Sequence, residues 1–83
     1  MITVYVLKSF TNQKHYVGIT NNLRRRIREH SSKNSTVHNL LGEFYVLHTE
    51  LYENYKSARQ REIFLKSGVG RMWLKNHFGR DQP

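Results

Sequence analysis

Ile2-Thr3-Val4-Tyr5-Val6-Leu7 (residues 2–7), followed after a polar run from Ser9 to Lys14 by His15-Tyr16-Val17-Gly18-Ile19 (residues 15–19), decides the fold. Both stretches are dense in β-branched and aromatic side chains, which suit a pleated, half-buried surface. Read together they predict a β-hairpin with a loop of about five residues. Thr20, Asn21 and Asn22 then offer N-caps to a short helix over Leu23-Arg24-Arg25-Arg26-Ile27-Arg28-Glu29-His30, in which Leu23 and Ile27 stand one turn apart. Ser31 to Thr36 is small and polar, which predicts a flexible loop.

Further along, Glu43 to Tyr52 reads EFYVLHTELY, with Phe44 and Val46 on one face and Tyr45, Leu47 and Leu51 on the other. Apolar residues on both faces predict a third strand covered on both sides. Asn54 or Ser57 is placed to cap a second helix running to about Lys66, with Gly68 in the left-handed position after its end. A last short helix is expected from Arg71 to Phe78, burying Met72, Trp73 and Phe78. The resulting order β-β-α-β-α-α implies an α+β fold, a three-stranded, mainly antiparallel sheet flanked by helices.

The chain has 83 residues, enough for one small domain spanning 1–83. A domain of that size buries only about 60–65% of the surface its unfolded chain exposes. Cysteine is absent, which removes disulfides, thiolate metal sites and a cysteine nucleophile. The first ten residues lack the charged leader of a signal peptide, and no run approaches the roughly 18 apolar residues of a membrane span. A soluble, cytoplasmic protein is expected. With 37% hydrophobic residues and a single proline, the composition is that of a folded domain.

Fourteen Lys and Arg against six Asp and Glu leave a net charge of +8, which calls for a polyanionic partner. The charge is uneven: residues 34–55 hold no Lys or Arg and three Glu, whereas Arg24 to Arg28 holds four arginines and Lys56 to Arg80 seven basic residues. The basic surface is therefore expected on the helices. On a wheel of about 100° per residue from Leu23, Ile27 falls near +40°, His30 near −20° and Arg26 near −60°. Arg24, Arg25 and Arg28 fall between about +100° and +200° on the same wheel, toward solvent, where they would attract phosphate without reading bases.

Arg26, at the edge of the apolar stripe, either packs its stem and snorkels outward or presents a fixed fork of donors to a phosphate. His30, one turn on, shares that strip and is either a packing or capping residue or a second group on the same ligand. Ala58, Glu62 and Leu65 share one sector of the next helix, so a carboxylate faces the sheet, either salt-bridged to Arg59, Arg61 or Lys66 or bound to a metal. Tyr5 and Tyr16 lie on the two hairpin arms facing the same side, which also fits plain cross-strand packing. Gly18 leaves room for a close approach to a ligand, or marks a bulge. The other histidines show no zinc-type spacing.

In combination these spacings resemble the GIY-YIG nuclease family. Tyr16-Val17-Gly18 matches the YIG element, and Thr3-Val4-Tyr5, eleven residues earlier, the GIY element, with threonine in place of its first glycine. Arg26 follows Tyr16 by ten residues within TNNLRRRIREH, and ARQREIFLKSGVGRMWLK is similar to the later motif whose glutamate, here Glu62, binds metal. Asn76 is the candidate for the family's distal polar residue. The resemblance implies hydrolysis of DNA phosphodiester bonds with one Mg²⁺ or Mn²⁺ held by Glu62. It also implies that Arg26 clamps the scissile phosphate, Tyr5 or Tyr16 activates water, Tyr5 favoured as base with Tyr16 hydrogen-bonded to it, and His30 is a phosphate ligand or proton relay. Arg24, Arg25, Arg28, Lys66 and Arg71 would carry the DNA. Family members act in repair, homing, restriction and resolution of branched DNA, so branched or damaged DNA and a specificity-giving protein partner are expected. The competing reading is a non-catalytic DNA- or RNA-binding module on the same fold.

Overall fold

The computed structural model describes residues 1–78. Strand β1 (Ile2–Ser9) runs down the middle of the sheet, between β2 (His15–Thr20) and β3 (Phe44–Tyr52), and pairs antiparallel with both. Being central, it is covered on both faces: Val4 and Val6 point one way, Tyr5 and Leu7 the other, and all four are buried. This is why residues 2–7 read as a nearly continuous apolar run rather than an alternating one.

Each face has its own helical layer. Helix α3 (Tyr55–Lys66) and helix α4 (Gly68–Phe78) cover Val4, Val6 and Val17 with Ala58, Leu65 and Leu74. Helix α1 (Leu23–His30) and helix α2 (Thr36–Leu41) cover Tyr5 and Leu7 with Ile27, Val37 and Leu41. The expected order of strands and helices stands, with α2 added between α1 and β3. That helix has only six residues, too short to form alone, and its local signal is correspondingly weak. It exists because Val37 and Leu41 are buried, Ser35 accepts from the Val37 and His38 amides, and Gly42 ends it at φ 64°.

Three local expectations are corrected. Strand β3 is an edge strand, not one covered on both sides, and Val46 and Leu51 are exposed. A bulge at Leu47 lets Val6 face His48 while Leu7 faces Val46, which moves Leu51 to the face of Phe44 and Val46. Gly68 opens α4 instead of closing α3, because Ser67, with extended backbone, makes the break. The glycine that matters for packing is Gly70, where a Cβ would lie 2.5 Å from the Leu65 Cα, so its absence lets α4 close on α3. With Gly70 and Leu74 facing inward, Met72 points out and is 65% exposed, while Trp73 and Phe78 are half-buried. Asn54, of the two candidate caps, accepts from the Ser57 amide at 2.9 Å. Among the described residues no helix is long and apolar enough to cross a membrane. Arg80 lies outside the described residues.

Candidate active site

Register places the two hairpin tyrosines. Tyr5 faces Gly18 across the β1–β2 ladder, and Leu7 faces Tyr16, so both phenols stand on the α1 side of the sheet. The Tyr5 ring extends over Gly18, where a Cβ would lie 2.6 Å from the Tyr5 Cζ and 3.1 Å from the Tyr16 ring. Gly18 is thus a seat for a phenol, not a bulge. Leu23 and Ile27 anchor α1 on this same face, and the Asn22 side chain, accepting from the Arg25 amide at 3.0 Å, fixes its start. The last residue of α1, His30, is thereby turned inward and is 4% exposed.

The Tyr5 hydroxyl and His30 Nε2 are 2.7 Å apart and buried. Tyr16 stands edge-on to His30 with ring centroids 5.2 Å apart, and 6.3 Å from the Tyr5 ring. The hydrogen bond of Tyr5 therefore goes to His30, not to Tyr16 as anticipated. Burial pushes the Tyr5 phenol up to about 12, against the Arg26 guanidinium beside it, with Tyr16 and Glu62 adding to the rise. Burial also holds His30 below its ordinary value, helped by Arg26. A phenol that keeps its proton beside a neutral imidazole donates O–H to Nε2, which puts the ring's single N–H on Nδ1.

Arg26 sits at the edge of the apolar stripe, half-exposed, with its Nη1 2.9 Å from Glu29 Oε1. Both the Glu29 hydrogen bond and the neighbouring Tyr5 raise its pKa, so it is a permanent cation. Glu29, three residues on, is the one member of this cluster that residue-type reasoning passed over, although its i, i+3 spacing from Arg26 is visible in the sequence.

Glu62 comes from the other layer. It is 7% exposed, and its carboxylate meets Lys66 Nζ at 3.0 Å and Arg59 Nη1 at 3.5 Å. Arg61, the third partner considered, reaches Glu50 instead. Among the described residues no group of three His, Asp or Glu could cage a metal. A divalent cation is often held by one or two carboxylates with waters and substrate phosphate completing its shell, so Glu62 would supply one such ligand only by giving up Lys66 and Arg59.

Arg24, Arg25 and Arg28 project from α1 into solvent, with Arg25 donating to Asn21 at 3.3 Å. Lys66 is committed to Glu62, and Arg71 donates to the Lys66 carbonyl at 3.1 Å and borders a cavity on the α4 side. Asn76 is exposed on α4.

A sequence profile of the GIY-YIG catalytic domain matches residues 1–76. The chain belongs to the GIY-YIG nuclease family. It is also similar to a UPF0213 protein in the VLF1-GP41 intergenic region of Autographa californica nuclear polyhedrosis virus, 38% identical over 65 residues. That match covers 76% of this chain and 62% of the relative, so the chain spans under two thirds of that relative's length. No solved structure gives a significant match.

Proposed function

We propose that residues 1–83 form one GIY-YIG nuclease domain that hydrolyses DNA phosphodiester bonds in the cytoplasm with Mg²⁺ or Mn²⁺. What supports this most is the buried 2.7 Å bond between the Tyr5 hydroxyl and His30 Nε2, made at the inner end of the helix that carries Arg26, in a chain whose residues 1–76 match the GIY-YIG catalytic domain.

Glu62 would hold the cation, which when bound offsets negative charge on the scissile phosphate and its leaving oxygen. Arg26 donates its fork to a non-bridging oxygen as charge builds there, steadied by Glu29. Tyr5 is too weakly acidic to wait as a phenolate at neutral pH. It works instead as a relay: as its oxygen takes a proton from the attacking water, its own proton passes along the 2.7 Å bond to His30 Nε2, leaving an imidazolium. Tyr16, less buried and edge-on to His30, orients the water. Arg24, Arg25 and Arg28 draw the duplex in, and a protein partner supplies the choice of site, since so small a surface reads little sequence.

Incubation of the purified protein with supercoiled and branched DNA tests this reading. Nicking in Mg²⁺ or Mn²⁺ that stops in EDTA is the expected result. Binding without nicking under every metal condition would leave the non-catalytic binding module as the function.

A further inference from the structure

A cavity lies on the face of the sheet away from Tyr5. At the loop end of the hairpin, His15 of β2, Lys8 of β1 and Tyr45 of β3 form one row across the three strands, on the face opposite Tyr5 and Leu7. Above them, Arg71, Leu74, Lys75 and Phe78 stand at i, i+3, i+4 and i+7 on one side of α4. Row and helix face enclose a cavity of about 430 Å³ lined by Lys8, His15, Tyr45, Arg71, Lys75 and Phe78. Its size is that of a small-molecule site.

Its lining combines cations with aromatic surface. Lys8 and Lys75 make no salt bridge to a carboxylate among the described residues; Lys8 Nζ instead donates to the Gln13 carbonyl at 3.0 Å. Tyr45 and Phe78 are half-buried, and Tyr45 lies against the exposed Phe10 at 4.8 Å between centroids. A shallower cavity beside the first shares Lys8, Gln13 and Tyr45 and continues past Phe10 along the hairpin loop. Burial and the charges of Lys8 and Arg71 hold the His15 imidazole below its ordinary value, as expected where positive potential is concentrated in a concave wall.

We infer that this cavity binds one unpaired nucleotide, its phosphate held by Lys8, Arg71 and Lys75 and its base set against Tyr45 and Phe78. A duplex keeps its bases stacked inside and offers no ring to such a floor, whereas single-stranded nucleic acid is bound by this pairing of a basic groove with aromatic platforms. The ligand is either a free nucleotide or an unpaired residue of a strand, and the adjoining cavity past Phe10 favours the strand. The inference is independent of cleavage by Arg26 and Glu62 and is tested without metal, so the two can fail separately.

The experiment is a titration of the ¹⁵N-labelled protein in EDTA with inorganic phosphate, thymidine monophosphate, a short oligothymidylate and a blunt duplex of equal charge. Expected are shifts of the His15, Lys8 and Lys75 signals and a rise in the His15 pKa on adding nucleotide, since a nearby phosphate stabilises the imidazolium. Thymidine monophosphate should bind about fivefold or more tighter than phosphate, the share of base stacking, and the oligothymidylate tighter still. Lys8→Gln with Lys75→Gln should weaken oligothymidylate binding at least about tenfold, while Lys33→Gln with Lys56→Gln, a loss of equal charge elsewhere, should not. Equal binding of phosphate and nucleotide, equal loss in both double variants, or duplex shifting the same signals as strongly as oligothymidylate would each overturn the assignment. So would His15 signals that stay still.

Discussion

Glu62 and Arg26 look alike in the sequence, charged residues on the apolar side of a helix, but their surroundings separate them. Glu62 is buried against two exposed cations, while Arg26 is half-exposed and braced by Glu29. Replacing either by alanine should lower DNA cleavage by at least about 10²-fold, the usual cost of losing one group that stabilises developing charge. Affinity for uncut DNA in EDTA should change little, and a variant still cutting near the wild-type rate would refute that residue's role. Gly18 carries a different kind of prediction. A methyl group there has no room beside the Tyr5 Cζ and the Tyr16 ring, and Tyr5 cannot swing away without losing His30. Gly18→Ala should therefore cost about 1–3 kcal/mol in urea unfolding and reduce cleavage with it; an unchanged midpoint would mean that the phenol is free to move. The position of Arg26 at the stripe edge was readable from helical periodicity. The Tyr5–His30 bond was not, because it joins residues 25 apart through a helix orientation that only packing sets.

Between elements, the clearest tie is Glu50. From β3 it receives Arg61 of α3 at 2.9 and 3.1 Å, His48 at 2.7 Å and the Tyr52 hydroxyl at 2.8 Å. Arg61 in turn lies 4.8 Å over the Phe64 ring and 4.7 Å over Trp73 of α4, so one carboxylate organises three elements. Burial alone would raise Glu50, but the hydrogen bonds from Arg61, His48 and Tyr52 outweigh it and hold the group down to about 2, against 4.5 when unperturbed. Unfolding between these values takes up a proton, so the stability from Glu50 is present above about pH 4.5 and is lost as the pH falls toward about 2. Urea unfolding of wild type and Glu50→Gln should show the variant less stable at pH 7 and the two converging near pH 2; a constant gap would rule out this linkage. The sequence located β3 and α3 to within a residue or two. It did not reveal the bulge at Leu47 or helix α2, since a single inserted residue and a six-residue helix leave almost no periodic trace.

Over the whole molecule, the net charge of +8 resolves into distinct surfaces. Arg24, Arg25 and Arg28 face solvent on α1, Lys66 is spent on Glu62, and Lys8, Arg71 and Lys75 gather round the cavity under α4. Alanine at Arg24 and Arg25 should weaken binding of every duplex alike and reduce the slope of log K against log salt by about 0.9 for each phosphate left unneutralised. An unaltered slope would put those side chains away from DNA. The amino-acid sequence by itself determined the strands, the starts of α1 and α3, the apolar stripe of α1 and the inward sector of α3, because each is set by residues within one or two turns of one another. Tertiary structure decided what those residues do. Strand register laid Tyr5 over Gly18, the docking of α1 turned His30 onto the Tyr5 hydroxyl, and the two helical layers sent Arg26 and Arg71 to opposite faces of the sheet. None of these is encoded at short range, because each depends on where distant elements come to rest when both faces of β1 must be buried at once.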